Sequence, residues 1–149
     1  MPRTYAQLRQ DVATRIAGLG GAWNEAPVAW DAHSWSGVPE AIPSTKAHLS
    51  YSVGITDSEA IGDRHRTYFQ ARTTVRVRFL ARLSPASSGP LASVDAALDA
   101  EVALIKRLDS GWSTTLTVYY RRTRRSTAPS GEWIQIEAEF LVDHQVALT

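Results

Sequence analysis

The chain contains no cysteine. That excludes disulfides, thiol nucleophiles and cysteine-based metal centres, and it fits a reducing cytosol or an assembly formed inside a cell. No apolar run approaches the ~20 residues needed to cross a bilayer as a helix. The opening MPRTYAQLRQD lacks the apolar core of a secretion signal, so secretion by that route is not expected. Neither sign of charge dominates: 16 Lys and Arg against 15 Asp and Glu leave a net charge of +1. No overall field therefore points to nucleic acid or to an acidic partner. The phosphate-cradling patterns GxxxxGK and GxGxxG are missing, as is the nucleophile elbow GxSxG.

What is present reads as one α+β domain covering residues 1–149, with no repeat and no low-complexity linker. Thr4 to Leu19 has the pattern of a helix. Thr4 and Gln7 form a capping box, Tyr5, Leu8, Val12, Ile16 and Leu19 make an apolar stripe, and Gly18, Gly20 and Gly21 end it. Residues 22–45 are proline-bearing and hold Trp23, Trp30 and Trp35; they read as a long irregular connection. Its tryptophans either close one end of the core or, for Trp30 and Trp35, supply an inter-subunit contact, because aromatics are enriched at interface centres.

Lys46 to Ile55 alternates apolar and polar and predicts a first strand. The polar stretch Thr56–Arg66 reads as a mobile loop. Tyr68 to Leu83 alternates over a longer span and predicts a second strand. Phe69, Ala71, Val75, Val77, Phe79 and Ala81 face inward, and Arg72, Arg76, Arg78 and Arg82 lie on the wet face. After a SPASSG turn, Pro90 opens a second helix whose stripe is Leu91, Val94, Leu98, Val102, Ile105 and Leu108. Gly111 stops it, and Trp112 is expected to pack on its end. Thr114–Arg122 and Glu132–Val142 predict two more strands, joined by a basic hairpin loop over residues 123–131, with residues 143–149 expected to fray. The expected fold is a single antiparallel sheet of about four strands with two helices on one face, in the order α-β-β-α-β-β.

Chemistry is hard to find on this scaffold. His33, His48, His65 and His144 show no metal-ligand spacing, and Asp31, His33, Ser34 and Ser36 are ordinary residues for a polar loop. No catalytic, cofactor-binding or metal residue is assigned. The strongest charge feature is Arg121, Arg122, Arg124 and Arg125. It suits phosphate contact beside Tyr119, Tyr120 and Trp133, a solvated hairpin tip, or acidic groups on another subunit. Glu137 and Glu139 sit on the wet face of the last strand. Either they pair with the arginines of the second strand within the chain, or a basic face of one copy meets an acidic face of the next around a ring.

Taken together, the opening helix YAQLRQDVATRIAGL, the loop GVPEAIPSTKAHLSYSV, the strand TVRVRFLARL, the helix ALDAEVALIKRL and the closing strands TTLTVYYRR and EWIQIEAEFLV resemble the tail terminator (tail-completion) proteins of long-tailed bacteriophages. The resemblance lies in element order over nearly the whole chain. It implies a non-enzymatic virion protein without cofactors, forming a hexameric ring at the head–tail junction. Such a ring caps the tail tube, ends its polymerisation and meets the head connector or neck protein, while DNA passes through the bore without sequence-specific binding. Assembly would take place in the host cytoplasm, away from any membrane. Candidate contacts are the 56–66 loop with Arg64 and Arg66, the Arg121–Arg125 run, and the tryptophan loop. The alternatives are a nucleic-acid-binding module using Arg121–Arg125, or another phage neck or head-completion protein.

Overall fold

The structure, a computed structural model, describes residues 2–21, 23–25, 48–83, 90–127 and 133–148. Trp30, Trp35, the SPASSG turn and the tip of the last hairpin lie outside the described residues. Helix α1 spans Tyr5–Ala17 and begins with the expected capping box: the Thr4 side chain accepts from the Gln7 N–H, and the Gln7 side chain accepts from the Thr4 N–H. Leu8, Val12, Ala13 and Ile16 are its buried face.

A five-stranded sheet follows, formed by β1 (Asn24–Glu25), β2 (Ser50–Arg64), β3 (Tyr68–Arg82), β4 (Thr117–Thr127) and β5 (Trp133–Ala147), in the order β1-β2-β3-β5-β4. The β1 pair with β2 is parallel and only two residues long; the other pairings are antiparallel. The expected α+β architecture and element order are therefore present, with β1 as an addition inside the segment read as irregular. Helix α2 (Pro90–Asp109) lies with α1 against the same face of the sheet. Between them Phe79, Ile136, Phe140 and Leu104 form the centre of the core.

Three segments and one helix face differ from expectation, each for a physical reason. The segment 56–66 is strand as far as Arg64, because the backbone of β3 offers a continuous ladder through Ser58↔Thr73, Ala60↔Ala71 and Arg64↔Phe69. Only residues 65–67 remain as a turn, in which His65 stacks on Tyr68 with ring centroids 4.3 Å apart. The basic stretch is likewise strand to Thr127, paired with β5 as far as Ile134. Residues 143–147 do not fray: they pair with β3 down to Tyr68↔Ala147, and His144 is fully buried. Finally, α2 buries Ala97, Glu101, Leu104 and Leu108, whereas Val102 is 55% exposed. From residue 97 onward the buried face is thus rotated from the stripe read in the sequence, and Glu101 can lie within it because Arg125 of β4 pairs with its carboxylate.

The two helices end on each other. Arg107 Nε donates to the Arg15 carbonyl (2.9 Å) and Arg15 Nε to the Arg107 carbonyl (3.1 Å), while the Arg15 guanidinium lies 4.3 Å over the Trp112 ring. Each cation thus satisfies carbonyls left open at the negative pole of the opposite helix. Trp112 packs there as expected, its indole N–H donating to the Leu108 carbonyl at 2.7 Å. Trp23 meets the core on the other side, 5.0 Å from Phe79 and 6.1 Å from Tyr51 between ring centroids.

Candidate assembly surface

Because β-strand side chains alternate, the face of the sheet opposite the helices collects every second residue. On β3 these include Arg72, Arg76 and Arg78, and the register sets them directly opposite Asp143, Glu139 and Glu137 of β5. Arg72 donates two hydrogen bonds to Asp143 (2.8 and 3.0 Å), Arg76 Nε one to Glu139 (3.0 Å), and Arg78 Nε one to Glu137. The two strands are neighbours, so these arginines and glutamates pair within one chain.

A β-bulge at Arg121 reshapes the β4 side. The register passes from Tyr120↔Phe140 to Arg122↔Glu139, skipping one residue. Both Arg121 (3.2 Å) and Arg122 (3.1 Å) consequently reach the same Oε2 of Glu139, whose other oxygen is held by Arg76. Glu139 is only 3% exposed. Burial raises its pKa, but the hydrogen bonds from Arg76 and Arg122 outweigh that and hold the carboxyl below its usual range. Three guanidinium groups around one carboxylate leave surplus positive charge on this side of the sheet.

The bulge also returns Arg125 to the helix side, opposite Ile136. There it forms a two-pronged ion pair with the buried Glu101 of α2 (2.7 and 2.6 Å). Arg124 stands opposite Glu137 in the ladder and makes no ion pair among the described residues. The Arg82 guanidinium lies 5.6 Å over the Trp133 ring. Arg64 closes β2 and Arg66 lies in the turn after it, both exposed.

Pairing along β2 carries the opposite sign. Asp57 and Glu59, opposite Thr74 and Arg72, share the outer face with the arginines, and Asp63 follows near the tip. None of the three makes an ion pair among the described residues, and all are exposed. Asp57, Glu59, Arg72 and Arg121 rim a shallow polar depression across this face. Asp143 was findable in the sequence, since it continues the spacing of Glu137 and Glu139 at period two. Glu101 was not: nothing local distinguishes it from a solvated helix glutamate.

Ser58 Oγ, Thr73 Oγ1 and His144 Nε2 form a hydrogen-bonded chain with steps of 2.9 and 2.7 Å, and the imidazole at its end is sealed from solvent. Among the described residues no group of three or more His, Asp or Glu is placed to hold a metal ion, and no described helix is long and apolar enough to cross a membrane.

Desolvation, aided by the positive charge of Arg3, lowers the His144 pKa, against the Gln145 backbone and Asp143, which raise it. Tyr5 closes the imidazole from α1, edge-on at 6.0 Å between ring centroids. A histidine held neutral in the fold has a lower pKa than in the unfolded chain, about 6.5. Its stabilisation is complete above that pH and is lost as pH falls from there through the folded value. Urea titrations between pH 7 and pH 5 should show falling stability, with a slope of at most about 1.4 kcal/mol per pH unit for each such histidine. His48, also lowered by burial, adds in the same direction. His144→Gln should flatten the slope by up to one proton; an unchanged slope would remove His144 from the account.

No protein-family model matches the chain, and no curated protein does. Among solved structures, a chain of the "Virion of native gene transfer agent (GTA) particle" matches over 95% of this chain and 90% of that chain, at a TM-score of 0.44 and 18% identity.

Proposed function

We propose that this chain is a non-enzymatic structural protein of a phage-type virion and, within that class, a tail terminator. Copies form a ring, with six the number that the family resemblance implies, on the end of the finished tail tube. The ring ends polymerisation and presents its other surface to the head connector, with DNA passing through the bore. The observation that supports this reading is the element order α-β-β-α-β-β, the same order that carries the resemblance along the chain. With both helices on one face, the opposite face and the long strand edges are, among the described residues, left to make contacts.

The competing nucleic-acid reading relies on Arg121–Arg125. Three of those four arginines are bonded to carboxylates, Arg121 and Arg122 to Glu139 and Arg125 to Glu101, and a phosphate would have to displace them. That favours an assembly role for the run.

The test is to add the purified protein to polymerising tail-tube protein and measure tube lengths by negative-stain microscopy. Ring density on tube ends with arrested growth is the expected result; tubes that lengthen as they do without the protein would overturn the reading. Rings that bind the connector and ignore tube ends would favour a neck or head-completion role. Affinity for DNA that falls steeply with salt, and drops when Arg121–Arg125 become alanine, would favour the nucleic-acid module.

A further inference from the structure

We infer that copies of this chain join edge to edge, the acidic β2 edge of one against the basic β4 edge of the next, extending the sheet around the assembly. This rests on the ring reading above for its closure, while the contact itself rests on topology and charge. Among the described residues β1 covers only Ser50 and Tyr51 of β2, so from Ser52 to Arg64 that strand shows an unpaired edge; β4 is the terminal strand on the other side. Long exposed edges are templates for pairing with another chain, and natural proteins either block them or use them. Residues 57–64 carry three carboxylates against Arg64 alone, whereas 121–125 carry four arginines and no acid. Each edge is therefore discouraged from pairing with its own kind and suited to the other.

Direction agrees with charge. From β2 through β3 and β5 to β4 every step is antiparallel, so β2 and β4 of one chain run oppositely. A second copy brought alongside by rotation about an axis roughly parallel to the strands places its β2 antiparallel to the first copy's β4, and the alternation continues without a break. The contact uses two different surfaces, so it propagates head to tail and closes when the rotation allows.

One register satisfies the faces as well. Asp57 and Glu59 lie on the outer face, opposite Thr74 and Arg72; Arg122 and Arg124 lie on that same face, opposite Glu139 and Glu137. Setting Asp57 across from Arg124 sets Glu59 across from Arg122, two opposite-charge pairs at cross-strand distance. Among the described residues Asp57, Glu59 and Arg124 make no ion pair, and Arg122 shares its carboxylate with two other arginines.

The experiment uses the full chain. Mass photometry of the parent should show a discrete oligomer whose dissociation constant rises with salt. Asp57→Arg and Arg124→Glu, each alone, should weaken assembly at least tenfold, and the double exchange D57R/R124E should recover most of it. Because the chain has no native cysteine, a second variant, Asp57→Cys with Arg124→Cys, reads the same contact if a charge variant fails to fold. Within one copy these positions lie three strand spacings apart across the sheet, about 14 Å, and several residues apart along it, too far for an internal disulfide. Oxidation should therefore give a ladder of covalent multimers. Single exchanges that assemble like the parent, or a double-cysteine chain that stays monomeric on oxidised gels, would overturn the contact. Rings that form without the cross-link would overturn this edge pairing and leave the tail-cap reading standing. Edge-linked multimers that ignore tube ends would do the reverse.

Discussion

Phe79→Ala should destabilise the fold by about 3–5 kcal/mol, the range for truncating a buried phenylalanine whose cavity cannot collapse. The site has little freedom to collapse. Phe79 is wholly buried in β3, the register sets it beside Tyr51 on β2 and Ile136 on β5, and the Trp23 ring lies edge-on 5.0 Å away. Tyr51 is itself held, its hydroxyl donating to the Ala13 carbonyl of α1 at 2.9 Å. A shrinking side chain therefore leaves a void bounded by ladder hydrogen bonds and an anchored tyrosine. Against a typical domain stability of 5–15 kcal/mol, the loss is a large share of the total. Urea unfolding followed by circular dichroism should show the midpoint fall with the slope unchanged. Pairing the change with Trp23→Phe should reveal a coupling of about 0.5–1.5 kcal/mol for the aromatic contact. A loss below about 1.5 kcal/mol would show that the strand centre is not part of a close-packed core.

That core was legible because one face of β3 is buried along its length, so alternation from Phe69 to Ala81 survives in the residue types. Where neither face is fully buried, the signal disappears. Residues 57–64 of β2 are almost all exposed, and their order Asp-Ser-Glu-Ala-Ile-Gly-Asp-Arg follows no period. They are strand because β3 supplies hydrogen-bond partners, a fact stored in another segment. His144 failed for the opposite reason: a polar residue at a fully buried position reads as surface, and the Thr73 hydroxyl that meets its Nε2 lies 71 residues away.

The assembly surface was half legible. The alternating Arg72, Arg76 and Arg78, with Glu137 and Glu139, announced a charged face. Whether they paired within or between copies depended on strand order, which residue types alone do not encode. The bulge at Arg121 has no local signature either, yet it directs two successive arginines to one carboxylate and Arg125 to Glu101. Its consequence is that the β4 edge carries more positive charge than β5 neutralises.

Glu139→Ala should cost about 3 kcal/mol, the lower end of the range for removing one partner of a buried ion pair. The lower end applies because the side chains of Arg121 and Arg122 are 51% and 46% exposed and can turn to water, whereas that of Arg76 is 27% exposed and has less room. The deficit has two signatures that a simple cavity would not have. The first is salt: with the carboxylate gone, repulsion among the remaining arginines is screened, so the gap to the parent should narrow between 0.05 M and 0.5 M salt. The second is pH. Because the carboxyl is held below its usual range, it adds stability that is complete above about pH 4.3 and is lost as pH falls through the lower folded value. The parent and the more conservative Glu139→Gln should therefore differ by a constant amount from pH 7 to pH 5 and converge below pH 4. A difference that ignores both salt and acid would mean that Glu139 acts through packing alone and that the three arginines are not held by its charge.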